Sequence, residues 1–228
     1  LSTVEKLYQK AIKNTKSGQK EGLPLRELIE KILPPLEEGK ALRTISFNHE
    51  ESKLLKGIQL LTIKPTLYVA NVSEDGFENN PHLDEILDLA NKESSEVVVI
   101  CAEIEAQISK LDIVAKQEFL SEMGQNESGL DKLVKAGYKI LGLQTYFTAG
   151  PEEVRAWTIN VGDLAPQAAG KIHGDFEKGF IRAETITFND FINYGGEKGA
   201  KEAGKLRSEG KEYIVQEGDV LHFLFNVN

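Results

Sequence analysis

The chain of 228 residues carries 36 acidic and 27 basic side chains, and its net charge of −9 excludes the overall basic surface of proteins that neutralise many phosphates. Any contact with nucleic acid must therefore use a local patch. The single cysteine, Cys101, excludes a disulfide framework or a cysteine-rich zinc site within this chain, and its apolar surroundings predict a core position. No apolar stretch approaches the ~20 residues of a membrane span, and no secretory signal is recognisable. We expect a cytoplasmic protein with neither a membrane partner nor a disulfide-linked one.

Residues 1–40 are predicted to form a helical hairpin. The polar segment 16–22 is the expected turn, and Pro34-Pro35 should end or kink the second helix. Such a hairpin packs on the rest of the chain or projects as an arm, so a scaffold or partner contact is favoured over a catalytic role. Apolar residues recur at helical spacing on one face of each helix: Val4, Leu7 and Ala11, then Leu25, Leu28, Ile29, Ile32 and Leu33.

The next segment is typical of a βαβ unit. Residues 67–69 form a short apolar run after Pro65, residues 81–92 have helical spacing, and residues 96–101 form a second apolar run. Ligands of such sheets lie at the carboxyl ends of the strands. The loops that begin at Asn71 and Ala102 are therefore expected at the ligand-binding edge.

Helices are predicted on both sides of this unit. Asn48 can cap a helix that ends near residue 61, and Ser128 can cap one over residues 129–140. Residues 102–109 and 113–123 also have helical spacing. We expect the helix after Ser128 to pack through an inner face of Leu130, Leu133, Val134 and Ala136.

From about residue 144 the period of the hydrophobic pattern shortens to two. Strands are predicted over residues 145–148, 154–159 and 182–188, with a short helix over 165–171. Residues 212–215 and 220–226 flank a turn sequence and predict a hairpin. Two strands, a helix and further strands in about 85 residues indicate a β-grasp, or ubiquitin-like, domain, with the boundary near residue 143.

The stretch from Gly199 to Lys205 fits the phosphate-loop pattern G-x4-G-K only in part. Leu206 stands where that motif needs a serine or threonine to bind Mg²⁺, and no predicted strand precedes it. We interpret it as a flexible, partly basic loop. The chain therefore has no competent phosphate loop.

Asn71 and Glu74 have the spacing of the base-reading N-K-x-D loop of P-loop GTPases, in which aspartate accepts hydrogen bonds from guanine. Here Val72 replaces the lysine and Glu74 the aspartate. A longer carboxylate cannot occupy the same position, so the guanine clamp should fail, whereas adenine loses less. Ala102 lies where such proteins contact the base through backbone N–H groups. An ordinary surface loop is the alternative.

Residues 173–184 form the densest cluster of functional groups. His173 and Asp175 give two metal ligands without a third, which makes a poor site, and acid–base work by paired carboxylates lacks a pocket. An exposed basic and aromatic contact surface, formed by Lys178, Phe180 and Arg182, is favoured.

Four segments closely resemble the YchF family of Obg-like ATPases, which are TRAFAC-class P-loop NTPases. The resemblance runs along the whole chain and implies three parts: a partial helical coiled-coil arm (1–45), the C-terminal portion of a P-loop NTPase domain (46–143) and a β-grasp TGS domain (144–228). The segments are KPTLYVANVSEDGFENNPHL (64–83), LQTYFTAGPEEVRAWTI (143–159), HGDFEKGFIRAETI (173–186) and YIVQEGDVLHFLFNV (213–227).

The resemblance also implies a function. Family members hydrolyse ATP to ADP and phosphate, prefer ATP to GTP, use Mg²⁺ in the full-length protein, and bind the ribosome or one of its subunits, with RNA as an alternative partner. By resemblance, Asn71, Val72 and Glu74 form the nucleotide-base loop and Ala102 makes a backbone contact.

The family's phosphate loop, Mg²⁺ ligands and switch regions would lie before Leu1. Because the only methionine is Met123, we expect the sequence to be a fragment of a longer protein. Phosphoryl transfer depends on groups positioned at the phosphates, so this chain alone is expected to be inactive, with no catalytic residue and no metal ligand of its own. The alternative is a non-catalytic module that binds the ribosome or RNA.

Overall fold

The structure is a computed structural model that describes residues 1–16 and 22–226. The chain divides into two compact units, Leu1–Ala136 and Gly137–Asn228. The predicted turn over residues 16–22 lies almost wholly outside the described residues. The predicted division at residues 45 and 143 stays a prediction.

The first unit consists of helices and two strands, with short 3₁₀ turns at Leu42–Thr44 and Leu61–Ile63. Its helices are α1 (Ser2–Lys16), α2 (Leu23–Glu37), α3 (His49–Ile58), α4 (Pro81–Glu93), α5 (Ala102–Ile108), α6 (Ile113–Glu122) and the start of α7 (Gly129–Leu141), and its strands are β1 (Leu67–Asn71) and β2 (Glu96–Ile100).

Helices α1 and α2 bury the apolar faces expected of them. Leu42 and Leu55 belong to the same cluster, so the hairpin packs on the turn and the helix that follow it. Helix α2 continues through Pro34 and Pro35 and ends at Glu37, two residues after Pro35, although neither proline has an N–H to donate to the carbonyl four residues before it. The most buried residues of the cluster are Val4, Ala11, Leu28, Ile29, Ile32, Leu42 and Leu55.

The predicted βαβ unit is confirmed. Strands β1 and β2 are parallel, with Asn71 opposite Ile100, and α4 connects them. Asn48 caps α3 through a capping box: its side chain accepts from the Glu51 N–H at 2.9 Å, and the Glu51 carboxylate accepts from the Asn48 N–H at 2.8 Å. Cys101 is buried, as expected.

The second unit contains a five-stranded sheet in the order β4-β3-β7-β5-β6. The last strand, β7, lies parallel to β3 and antiparallel to β5, which places it at the centre. Helix α8 packs on the inner face through Ala165, Ala168 and Ala169. The strands are β3 (Leu143–Ala149), β4 (Val154–Asn160), β5 (Phe180–Thr187), β6 (Arg207–Glu209) and β7 (Asp219–Phe225), and the helices are α8 (Ala165–Ile172), α9 (Gly174–Lys178), α10 (Phe188–Asn193) and α11 (Glu197–Glu202).

The predicted hairpin over residues 212–226 is wrong. Residues 212–215 make one isolated bridge, between Ile214 and Leu164, whereas β7 pairs with β3 and β5. The turn itself is present, because the Asp219 carboxylate accepts from the Gln216 N–H at 2.9 Å and the Tyr213 hydroxyl at 2.7 Å. That turn leads into β7, a nearly continuous apolar strand that pairs with β3 and β5 at the centre of the sheet.

Two further predictions, of a flexible loop and of the packed face of a helix, also need correction. Residues 197–202 are helical rather than a flexible loop, and Gly199 packs so closely that a Cβ there would lie 1.9 Å from the Tyr194 carbonyl oxygen. In α7, Ala136 is buried, but Leu130 and Val134 are 49% and 56% exposed. These two form a separate stripe along the helix, turned away from the residues that pack.

Candidate functional site

The two loops predicted at the sheet edge are joined directly. Asn71 ends β1, and its Oδ1 accepts a hydrogen bond from the Ala102 N–H at 3.0 Å. Both residues are exposed. Ala102 therefore orients the Asn71 side chain, and its N–H is engaged rather than free for a ligand. Within the described parts of the chain, the Asn71 amide Nδ2 makes no hydrogen bond, so it remains able to donate to one.

The backbone after Asn71 is fixed by short-range bonds. The Val72 N–H donates to the Ile100 carbonyl at 2.8 Å, which extends the parallel pairing beyond β1. The Gly76 N–H closes a turn onto the Ser73 carbonyl at 2.9 Å. A Cβ on Gly76 would lie 2.9 Å from Ser73 Oγ and 3.2 Å from the Ser73 backbone nitrogen, so a larger residue would require its neighbours to shift.

Asn80 holds the far end of the loop. Its Nδ2 donates to the Gly76 carbonyl at 3.0 Å, and its Oδ1 accepts from the N–H groups of His82 and Leu83 at 3.2 and 3.3 Å. The same side chain therefore caps α4 and closes the loop. Sequence analysis missed this role, although the Asn80-Pro81 pair, an N-cap residue before proline, is the local signal that reveals it.

Val72 is half-buried and Glu74 is exposed beside it. In the described residues the Glu74 carboxylate has no hydrogen-bond partner. The edge thus combines a donor on Asn71, an apolar side chain at Val72 and an acceptor on Glu74. These are the kinds of group that contact a planar, hydrogen-bonding ring.

The second candidate surface needs a correction. Lys178 and Arg182 are exposed, but Phe180 is only 4% exposed and packs edge-to-face against Phe223, with ring centroids 6.2 Å apart. A bulge between Phe180 and Arg182 in the pairing with β7 breaks the alternation, so Ile181 and Arg182 both face outward. Phe180 therefore belongs to the core, and the binding role of Lys178 and Arg182 stays a prediction.

His173 has a local structural contact. Its Nδ1 accepts from the Asp175 N–H at 3.2 Å, which caps α9. Over residues 1–16 and 22–226, no group of three or more histidine, cysteine, aspartate or glutamate side chains is arranged to hold a metal ion. Nor does any helix of those residues have the length and apolar character to cross a membrane.

Three comparisons place the chain among known proteins. A family model named YchF-GTPase_C, described as "Protein of unknown function (DUF933)", matches residues 143–226. The chain is 56% identical over its full length to "Ribosome-binding ATPase YchF" of Escherichia coli O157:H7, and 51% identical to the protein of that name from Bacillus subtilis. It spans 62% and 63% of the lengths of these two relatives.

The fold agrees with solved structures. The Schizosaccharomyces pombe YchF GTPase superposes with a TM-score of 0.85 at 31% identity, covering 98% of this chain and 61% of that one. A GTP binding protein from Pyrococcus horikoshii, with a TM-score of 0.51 at 17% identity over 77% of this chain and 51% of its own, supports the fold alone. Since the similarity in sequence and in structure extends along essentially the whole chain, this chain is homologous to part of the YchF proteins, over 61% to 63% of their length.

Proposed function

We propose that this chain is part of an ATP-preferring, ribosome-associated P-loop NTPase, in which the loop at Asn71 reads the nucleotide base and the second unit binds the ribosome. The observation that carries the proposal is the hydrogen bond from Ala102 to Asn71, because it joins two strand ends that sequence reasoning had assigned separately to one site. The relatives' names, which pair ribosome binding with ATPase activity, support both halves. A cytoplasmic location accords with this role.

Adenine is the base that the loop suits. In an N-K-x-D loop the aspartate accepts from both N1–H and the amino group of guanine, whereas Glu74 extends one methylene further and displaces its oxygens. Adenine has an acceptor at N1, to which the Asn71 amide can donate, and it has no N1–H that would be left without a partner. We infer that Val72 lies against the ring and that Ala102 keeps Asn71 oriented. A GTP complex is then the weaker one.

A separate question is whether the described residues can bind the phosphates of ATP. Gly199, the first residue of the G-x4-G-K stretch, lies in the first turn of the six-residue helix α11, which follows α10 rather than a strand, so the strand–loop–helix setting of a phosphate loop is missing here. The described residues also offer no cluster that fits Mg²⁺. We infer that this chain alone does not hydrolyse ATP and that family members use other residues for that step.

We further infer that the second unit is a TGS domain of the β-grasp class. Its first two strands form a hairpin, and its last strand lies parallel to the first at the centre of the sheet, as that class requires. Residues 1–45, which include the helical hairpin, are inferred to be the later part of the coiled-coil arm. A non-catalytic module that binds the ribosome or RNA is the second candidate, favoured by the lack of a phosphate loop in the described chain.

Ribosome binding provides a direct test. The double variant Lys178→Ala/Arg182→Ala is expected to weaken co-sedimentation with ribosomes by about tenfold, since both cations are exposed on a protein of net negative charge and contribute counterion release on binding to RNA. The matched control, Lys201→Ala/Lys211→Ala, removes two exposed cations from the same unit and should leave binding unchanged. Equal binding by wild type and the first variant would remove this surface from the account.

A further inference from the structure

One carboxylate oxygen in the first unit receives three hydrogen bonds from two other elements. Glu93, the last residue of α4, accepts at Oε2 from Arg43 Nε (3.1 Å), from Arg43 Nη2 (2.8 Å) and from the Tyr68 hydroxyl (3.0 Å). The Arg43 and Glu93 side chains are each only 19% exposed. We call Arg43, Tyr68 and Glu93 the Glu93 junction.

The junction is a charged and partly shielded contact. The hydrogen bond from Arg43 lowers the pKa of Glu93, and the same bond raises the pKa of Arg43. A shielded charge that loses its partner is left poorly solvated, so breaking this pair costs more than breaking an exposed one. The junction is therefore able to fix the elements that meet there.

Arg43 is held next to the helical hairpin by the packing of its neighbour Leu42. It lies in the turn Leu42–Thr44, and Leu42 is fully buried in the cluster that α1 and α2 form. Arg43 Nη1 also approaches the Thr62 carbonyl at 3.5 Å. A displacement of the hairpin therefore carries the Arg43 guanidinium with it.

Tyr68 and Glu93 belong to the two elements that bound the base loop. Tyr68 lies on β1, three residues before Asn71. Glu93 ends α4, which begins at the cap formed by Asn80, and Asn80 holds the loop through the Gly76 carbonyl. Strand and helix thus both meet the Arg43 turn at one carboxylate oxygen.

We propose that Glu93 is a positioning residue through which the helical hairpin sets the position of the loop over residues 71–76. The inference rests on the proposed function, because it assigns a control to the same base-reading loop. When the hairpin moves, Arg43 leaves Glu93, and β1 and α4 lose their common anchor. The loop suspended between them then loosens.

Hydrogen exchange of the free chain tests this coupling without any ligand. Amides of Val72 and Gly76 report on the loop, because both are hydrogen-bonded within it or to its neighbour strand. Glu93→Gln and Arg43→Gln are each expected to accelerate their exchange at least about tenfold. Glu85→Gln, on the same helix with a side chain 81% exposed, is the matched control and should have no effect.

The Leu120 amide in α6 separates positioning from general destabilisation. If Glu93 only stabilised the fold as a whole, its replacement would accelerate hydrogen exchange at Leu120 as much as in the loop. That result would overturn the proposal. Arg43 lies outside the strand, the helix and the loop, and two of its three hydrogen bonds go to Glu93, so on this proposal its influence on the loop passes mainly through Glu93. The double variant should therefore exchange no faster than Glu93→Gln alone, and additive acceleration would also overturn the proposal.

Titration with AMP distinguishes failure of the proposed base reading from failure of the proposed positioning role. If the wild-type chain binds no AMP while the Glu93 variants still loosen the loop, the base-reading function fails and the positioning role stands. If the wild type binds AMP and Glu93→Gln changes neither AMP affinity nor loop exchange, the positioning role fails and base reading stands. We expect Glu93→Gln to weaken AMP binding several-fold.

Discussion

Replacement of Tyr146 by alanine is expected to lower the free energy of unfolding of the second unit by about 4 kcal/mol. Tyr146 has no exposed surface, and its ring packs on Trp157 and edge-on against Phe223, with ring centroids 6.5 and 5.8 Å away. Its hydroxyl donates to the Ala168 carbonyl at 2.9 Å, which ties the sheet to α8. Truncation leaves a cavity and removes the hydrogen bond between the sheet and α8 in the same place.

Urea unfolding followed by tryptophan fluorescence measures this effect, because the single tryptophan of the chain, Trp157, lies in the same unit. Tyr146→Phe keeps the ring and loses one hydrogen bond, so about 1 kcal/mol should be lost. Tyr194→Ala removes a tyrosine that is 43% exposed and should cost about 0.5 kcal/mol. If Tyr146→Ala cost no more than Tyr194→Ala, the described packing would be wrong.

The double variant Val72→Lys/Glu74→Asp is expected to shift the preference for AMP over GMP toward GMP by about 100-fold. The change restores the N-K-x-D pattern: the shorter carboxylate reaches the guanine N1–H and amino group, and the alkyl chain of lysine replaces valine beside the ring. Two hydrogen bonds to a charged acceptor then favour guanine, while adenine offers that carboxylate no N1–H.

The ratio of the two dissociation constants, measured by titration under identical conditions, reports this preference. Glu78→Asp is the matched control, since it shortens another exposed carboxylate between β1 and α4 by the same methylene. Its ratio should equal that of the wild type. A double variant with an unchanged ratio would mean that residues 72 and 74 do not face the base.

The position of the candidate site was predictable because its signals are local. Short apolar runs and polar strand ends are enough to place Asn71 and Ala102 at one edge of a parallel sheet, and the structure joins them by a hydrogen bond. The caps at Asn48 and Ser128 follow from the same local chemistry. The two caps depend only on neighbours within a few residues.

The remaining features depend on partners far along the chain. Tyr68 and Arg43 lie 25 and 50 residues from Glu93, and no short-range pattern links them. Phe180 and Arg182, two residues apart, would share a face of a regular strand, but a bulge in the pairing with β7 separates the buried Phe180 from the exposed Arg182. Residues 216–219 carry a good turn signal, but long-range pairing decides which strands lie beside β7.

Backbone amide chemical shifts of this chain, recorded during titration with AMP and with GMP, test the central claim most directly. The account predicts that the amides of Val72, Gly76 and Ala102 shift with AMP at lower concentration than with GMP, and that Asn71→Ala abolishes the response. Shifts confined to other regions, or a stronger response to GMP at these same amides, would contradict an adenine-reading loop.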